Sequence, residues 1–191
     1  MEPGTAHTDE FEAPLDGLFG CEGWREARDI QSFHDRKIFL FELYARQLKE
    51  AGAKYVVHFE LYRRGELVYA IFFATSNLGG CDKMKEAIWT ADPEGGTCFV
   101  SGQDAAMNLF TRDVSRLEHE LHTGLSTTHE WIAIERLQSW ARSDKTHYHS
   151  GQLKTALRSL EKAGKIDVKE GTRHRRGTFP DGTLLRAVRL Q

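Results

Sequence analysis

The feature that most constrains this chain is the order of helical and strand patterns in its last third. Apolar residues recur at spacings of three and four over 114–125, 131–141 and 149–163, which predicts three amphipathic helices. Gly164 follows the third pattern at the position where a glycine commonly ends a helix. The last third is therefore confined to a small core built from three short helices.

Two short strand patterns follow the third helix. Residues 165–169 alternate polar and apolar side chains, as a half-buried strand does, and residues 183–189 are expected to return as its partner strand. The loop between them, 171–182, is rich in glycine and arginine, and a further short strand is expected at 126–128. Three helices followed by a β-hairpin are typical of a winged helix-turn-helix, which we place at 113–191.

A winged helix-turn-helix most often binds nucleic acid, because the second helix of its motif enters the major groove. Basic side chains there supply phosphate contacts, and glutamine or arginine can read base edges. The predicted contacts lie on the third helix and in the basic loop: His149, Gln152, Lys154, Thr155, Arg158, Arg173, Arg175 and Arg176. Double-stranded DNA is the expected partner, although winged helices also serve as dimerisation or docking modules.

Charge is unevenly distributed along the chain. The 26 Lys and Arg residues and the 28 Asp and Glu residues give a net charge of −2. Residues 146–191 contain ten basic and four acidic residues, so this end carries six excess positive charges and the rest carries −8. A basic end on an acidic body favours a polyanionic partner for the C-terminal part.

The first half of the chain combines helix and strand patterns. Helices are expected over 32–52 and 82–89, with Gly52 at a helix C-cap. Strands are expected over 55–62 and 67–74, and the short glycine-containing connector between them predicts an antiparallel hairpin. Helices and a hairpin in this order indicate an α/β unit that precedes the C-terminal module.

Composition also predicts where the chain divides. Residues 1–17 combine proline, glycine and acids, which favours a flexible N-terminal segment. The α/β unit occupies 18–92, and the Gly- and Asp-rich stretch 93–112 is expected to be a linker. The C-terminal module follows from residue 113.

Two blocks of sequence together resemble the three-Cys-motif partner proteins. The first block consists of residues 54–77 and 83–89, and the second consists of residues 157–166 and 175–183. The resemblance covers most of residues 18–191, and both blocks occur in the family's order.

The resemblance implies an α+β fold in which a partial Rossmann-like, methyltransferase-type hairpin and helix region at 18–92 precedes the winged helix-turn-helix. Longer family members carry an upstream half that resembles S-adenosylmethionine-dependent methyltransferases. On this resemblance the chain is expected to correspond to the part after that half, so we expect no catalytic or cofactor-binding residue to carry over. We expect no cofactor unless a partner half completes the domain and supplies the S-adenosylmethionine site. Family members resemble parts of mobile-element or defence systems.

An isolated hairpin with two helices leaves a sheet edge and an apolar face without cover. Residues 18–90 are therefore expected to be poorly stable alone, or to dock on a protein partner or on a second copy. The other alternative is that their aromatic side chains pack into a small core of their own. The aromatic residues concerned are Phe41, Phe59, Phe72, Phe73 and Trp89.

Motifs for catalysis and for metal binding are not evident. The chain has no GxSxG, no phosphate-binding GKS or GKT loop and no GxGxxG after a strand. His119 and His122, and likewise His147 and His149, are spaced as pairs, but no carboxylate or cysteine pattern completes a ligand set. Solvated or capping histidines are the simpler interpretation, and we predict neither a catalytic nor a metal site.

The sequence also bears on the cellular location. Three widely spaced cysteines favour reduced thiols over a disulfide framework. No apolar run approaches the ~20 residues of a membrane span, and the acidic N-terminus does not resemble a signal peptide. We expect a cytoplasmic protein that does not bind a membrane.

Three functions remain open on the sequence. The leading hypothesis is a nucleic-acid-binding winged-helix protein without catalysis of its own. One alternative is a subunit or fragment of a split S-adenosylmethionine-dependent methyltransferase. The other is a winged helix that docks a partner protein.

Overall fold

The computed structural model describes residues 9–101, 114–128 and 130–188, and within them the chain is α+β with two three-stranded sheets. The elements of the first half are α1 (Asp9–Phe19), a 3₁₀ helix (Gly23–Asp29), α2 (Phe33–Glu50), β1 (Tyr55–Arg63), β2 (Glu66–Thr75), α3 (Leu78–Ala91) and β3 (Cys98–Ser101). Those of the second half are α4 (Ser115–Thr128), β4 (Ile132–Ala133), α5 (Ile134–Arg142), α6 (Ser150–Lys162), β5 (Ile166–Val168) and β6 (Leu184–Ala187).

Part of the N-terminal segment expected to be flexible is helical. α1 begins at Asp9, inside the predicted segment 1–17, whereas residues 1–8 lie outside the described residues. Asp16 accepts a hydrogen bond from Trp24 Nε1 over 2.8 Å and forms an ion pair with Arg25. These contacts hold α1 against the 3₁₀ helix. The acidic residues that favoured a flexible segment in the sequence instead form hydrogen bonds and ion pairs with the 3₁₀ helix.

The hairpin predicted in the first half is confirmed. β1 and β2 pair in antiparallel register, with a shift between Leu61 and Tyr62. Arg64 and Gly65 have φ angles of 54° and 82°, so both central residues of the turn are left-handed, as the twist of a two-residue hairpin favours. The helix before the hairpin ends as expected, since Gly52 has a φ of 110° just beyond it.

Most of the aromatic residues expected on an open surface pack within the chain. Phe41 of α2 meets Phe72 of β2 edge-to-face at 5.3 Å between ring centroids, and Tyr44 meets the same ring at 4.8 Å. Phe59 and Trp89 are buried. The small private core is therefore the correct alternative for Phe41 and Phe72, because α2 covers one face of the sheet, whereas Trp89 packs into the core of the second half.

The linker expected over 93–112 is structured where it is described. β3 lies within it and pairs in parallel with the end of β1. The Asp92 carboxylate accepts hydrogen bonds from the amides of Gly95, Thr97 and Cys98, and these bonds shape the turn from α3 into β3. Residues 93–101 thus belong to the first sheet, and the remainder of the expected linker lies outside the described residues.

The second half contains three helices and an antiparallel sheet of order β4-β6-β5. The strands predicted at 165–169 and 183–189 are confirmed over their central residues. The strand predicted at 126–128 is wrong, because these residues end α4 and the strand lies at Ile132–Ala133. The Ser126 hydroxyl donates to the His122 carbonyl over 2.7 Å, which lets a serine and threonine tract finish a helix.

The main hydrophobic core lies between the three helices and the sheet of the second half. Leu153, Leu157 and Leu160, predicted to face inward, are each exposed by 1% or less. Trp89 of α3 belongs to the same cluster of buried residues. α3 therefore packs both on the first sheet and on the second core, so the predicted boundary after residue 92 does not separate two independent cores.

Candidate nucleic-acid interface

α6 presents a basic face to solvent. Lys154, Thr155 and Arg158 are exposed, in contrast to the leucines on the opposite side of the helix. Three of the five side chains predicted on this helix therefore lie where a ligand can reach them. Lys162 is exposed as well and is missing from the predicted set, although its spacing of four from Arg158 places it on the same face.

The other two side chains predicted on this helix, His149 and Gln152, are buried, with exposed fractions of 4% and 3%. His149 Nδ1 accepts from the Gly151 amide over 3.2 Å, and Gln152 Oε1 accepts from the His149 amide over 3.1 Å. This reciprocal capping box satisfies backbone donors in the first turn of α6. The expectation that Gln152 is exposed is therefore wrong, and both side chains shape the helix start.

The start of α6 is also bound to α3. Asp82 accepts one hydrogen bond from the Ser150 amide over 2.9 Å and another from the Ser150 hydroxyl over 2.6 Å. A carboxylate at this position interacts favourably with the free amides and the positive end of the helix dipole. The first turn of α6 is thus occupied by this chain, and the exposed basic face begins one turn later, at Lys154.

A buried lysine of α3 organises the turn between α5 and α6. Lys85 is 1% exposed, and its Nζ donates to the carbonyls of Ser143 over 2.6 Å, Tyr148 over 2.7 Å and Thr146 over 3.2 Å, and also to that of Ala141. Burial lowers the pKa of Lys85 to about 8, so the amine remains protonated at pH 7. One ammonium group therefore satisfies one carbonyl at the end of α5 and three carbonyls of the turn.

Trp89, one turn after Lys85, completes this attachment. Its Nε1 donates to the His147 carbonyl over 2.8 Å. The indole stacks on the rings of His147 and Tyr148, at 5.8 Å and 5.6 Å between centroids. Together Asp82, Lys85 and Trp89 fix the turn between α5 and α6 and the start of α6 on one side of α3.

Arg173 is partly buried and is bound within the protein, unlike the exposed Arg175 and Arg176 beside it. Its guanidinium forms a two-point ion pair with the Glu161 carboxylate of α6, and its side chain is 15% exposed. The hydrogen bond from Arg173 holds the pKa of Glu161 below its ordinary value. Glu161 also accepts from the Gly177 amide over 3.1 Å, so this pair fastens the loop between β5 and β6 to α6.

Arg175 and Arg176 remain exposed at the tip of that loop, as predicted for a contact surface. Arg158 Nε donates to the Gly177 carbonyl over 2.9 Å, which gives the loop a second attachment to α6. An open cleft of about 690 Å³ lies between helix and loop. Its basic walls consist of Arg158, Lys162, Arg175 and Arg176. The exposed face of α6 therefore continues into the loop without interruption.

A second polar cluster lies on the first sheet. Lys37 Nζ donates to Glu60 Oε2 over 2.7 Å and to the Tyr62 hydroxyl over 3.0 Å, and Tyr62 also bonds Glu60. His58 Nε2 lies 3.9 Å from Glu60 Oε1, and burial lowers the pKa of His58. The ion pair between Lys37 and Glu60 is largely enclosed, and its geometry fits a structural link between α2 and β1.

Metal sites and membrane spans are both absent from the part of the chain that the structure describes. Among these residues, no group of three or more His, Cys, Asp and Glu side chains is placed to hold a metal ion. None of the helices in these ranges combines the length and apolar character needed to cross a membrane.

Comparison with known proteins identifies no relative of this chain. No family model, curated protein or solved structure matches the chain.

Proposed function

We propose that residues 114–188 form a winged helix-turn-helix that binds double-stranded nucleic acid and has no catalytic activity of its own. In this proposal α4, α5 and α6 are the three helices, and the loop between β5 and β6 is the wing. The observation that carries the proposal is the continuous basic surface from the exposed face of α6 to Arg175 and Arg176 in the wing.

The dimensions and charges of this surface support the proposal. α6 has 13 residues and is therefore about 20 Å long, and a helix fits a major groove roughly 12 Å wide. The carboxylate that lines the cleft, Glu161, is already bound at two points by Arg173. The exposed cations therefore face a carboxylate whose charge is largely compensated, and they remain available to phosphates.

Fluorescence anisotropy with labelled duplex DNA across a salt series tests the proposal. We expect affinity to fall steeply with salt, and the double variant Arg175→Ala, Arg176→Ala to flatten the log–log slope by about 0.9 for each phosphate that is no longer neutralised. The Lys54→Ala, Lys83→Ala double variant removes two exposed charges from the first half as a matched control. Absence of duplex binding at low salt would rule this function out, and equal slopes for all three proteins would exclude Arg175 and Arg176 as its phosphate contacts.

A second candidate function rests on the first sheet. Phe99, Leu61 and Tyr69 lie side by side on β3, β1 and β2, and Phe99 and Tyr69 are 46% and 66% exposed. This apolar row favours docking of another protein. On the resemblance to three-Cys-motif partner proteins, we propose a separately encoded methyltransferase-like half as that partner. Calorimetry should detect S-adenosylmethionine binding when both chains are mixed; binding equal to that of the half alone contradicts the idea.

A further inference from the structure

Two adjoining clefts run along the junction between α6 and the wing. The larger one, described above, is lined by Arg158, Arg175 and Thr178 among others. The second, of about 400 Å³, shares these three residues and adds Lys154 and His174. Because the walls are shared, the two clefts form one continuous trough that passes from one side of Arg158 and Arg175 to the other.

The trough is strongly cationic. Its side chains carry five formal positive charges, on Lys154, Arg158, Lys162, Arg175 and Arg176, without His174. Glu161 is the single carboxylate among the described residues that line it, and Arg173 and the Gly177 amide bind that carboxylate. Arg176 Nε lies 3.4 Å from Glu161 as well, but its side chain is 78% exposed and so remains open to a ligand. A surplus of positive charge of this size, confined to one trough, favours an anionic ligand, and an elongated one in particular.

The walls of the trough are fixed before any ligand arrives. The bond from Arg158 Nε to the Gly177 carbonyl and the bond from the Gly177 amide to Glu161 hold the wing at a set distance from α6. Thr178 then bonds back to the Arg175 carbonyl through its hydroxyl, which fixes the loop next to the arginine. A preformed site avoids the entropy cost of ordering a loop when the ligand binds.

From this geometry we infer that the trough binds consecutive phosphates of one nucleic-acid strand. Arg158 and Arg175 stand between two neighbouring phosphates, Lys162 and Arg176 contact one of them, and Lys154 and His174 contact the other. The inference rests on the proposed nucleic-acid binding and assigns to it the ligand chemistry of a particular surface. A linear chain of phosphodiesters fits two connected basic clefts better than a single compact anion.

The salt dependence of duplex binding provides the first test, on the full chain. Lys162→Gln and Arg175→Gln each remove one charge from a different part of the trough, and Lys54→Gln removes one exposed charge from the first sheet as a control. We expect each trough variant to lower the slope by about 0.9 and to weaken binding about eightfold at 0.1 M salt. Melting temperatures should stay unchanged, because both trough side chains are exposed, and this result would show that the variants are folded.

Titration with inorganic phosphate and with tripolyphosphate, followed by NMR of ¹⁵N-labelled protein, tests phosphate binding in the trough independently of duplex binding. We expect tripolyphosphate to shift the amide signals of Gly177 and Thr178 at concentrations at least tenfold lower than phosphate does, because it reaches both clefts. Such shifts without duplex binding would support binding of linked phosphates in the trough and overturn the proposed function. Duplex binding with equal slopes for the trough variants and Lys54→Gln would overturn the trough and leave the function standing. Neither shifts nor duplex binding would overturn both.

Discussion

Lys85 places one ammonium group where four carbonyl oxygens, from the end of α5 and from the turn that follows it, converge. An ammonium has three protons, so at least one proton is shared between acceptors. Carbonyls in this position lie behind α3 and have little access to water, as the 1% exposure of Lys85 indicates. Burial of the charge costs free energy, but the loss of all these bonds would cost more, because several acceptors would be left unpaired at once.

We therefore expect Lys85→Met, which preserves length and apolar volume, to reduce the free energy of unfolding by about 3 kcal/mol or more. Urea denaturation followed by circular dichroism measures this value. Lys83→Met, on the same helix with a side chain that is 79% exposed, is the control and should change stability by less than about 0.5 kcal/mol. Equal effects of the two substitutions would show that the carbonyl contacts contribute nothing.

The pair of Glu161 and Arg173 predicts a dependence of stability on pH. The bond from Arg173 lowers the pKa of Glu161 in the folded protein below its unfolded value of 4.5. At a pH between the folded and the unfolded pKa, the unfolded chain therefore binds more protons than the folded one. The contribution of the pair is therefore complete above pH 4.5 and is lost as the pH falls through the folded pKa.

For Glu161→Gln we expect a loss of about 1–3 kcal/mol at pH 7 that shrinks towards zero as the pH falls from 4.5 through the folded pKa of Glu161. Denaturation of both proteins across this pH range measures the difference. Glu170→Gln, which alters an exposed carboxylate, should show no such convergence. A difference independent of pH would mean that the carboxylate charge does not contribute to stability.

The sequence reveals the chemical type of a side chain but not its partner. Arg173 belongs to a basic cluster with Arg175 and Arg176, and nothing local distinguishes the one that is enclosed with Glu161. Helical periodicity does place Lys154 and Arg158 on the exposed face correctly. His149 and Gln152 match the spacing of a capping box, with histidine where serine or threonine is usual, so this role was open to prediction.

At the scale of elements, the turn from α3 to β3 depends on a close approach between backbone and ring. Gly96 has a φ of 64°, and a methyl group added there would overlap the indole of Trp89. Gly164 has nearly the same φ, 68°, and open space around the corresponding position. The two glycines therefore separate the cost of backbone conformation from the cost of crowding.

We expect Gly164→Ala to lower stability by about 1–2 kcal/mol through backbone strain alone. Gly96→Ala should lose about 1–3 kcal/mol more, because the ring must move out of a packed core. Thermal and urea denaturation of both variants measure the difference. Equal losses of stability in the two variants would show that displacing the Trp89 ring costs no free energy.

Elements with a regular apolar period are the ones that the sequence predicts well. The leucine spacing of α4 and α6 reflects a local pattern with one buried face, and β1 and β2 are marked by a hairpin turn between two apolar stretches. β3 has four residues and gains its hydrogen bonds from β1, more than thirty residues earlier, so no local period marks it. The apolar stripe of α3 predicts a helix, but Lys85 reads as a solvent-facing residue until its partners 56 to 63 residues away are known.

At the scale of the whole molecule, α3 and the turn after α5 join the two sheets into one system. Trp89 and Lys85 connect α3 to the second core. In the other direction, Asp144 of the turn accepts from the Val56 amide of β1 over 3.1 Å and pairs with Lys49 of α2 at 2.6 Å. If either core unfolds, the other core exposes apolar surface and loses hydrogen-bond partners. This coupling favours a single cooperative unfolding transition.

We expect one unfolding transition for the full chain, seen at the same denaturant concentration by two tryptophan reporters. A variant that retains Trp24 alone reports on the N-terminal cluster, and one that retains Trp140 alone reports on the C-terminal core. Trp89 is replaced by phenylalanine in both variants, which keeps most of the buried ring. Coincident fluorescence midpoints, shifted together by Lys85→Met, are the expected result, since α3 is common to both units. Separate midpoints, with only the Trp140 signal sensitive to Lys85→Met, would show that the basic C-terminal unit folds independently of the sheet that precedes it.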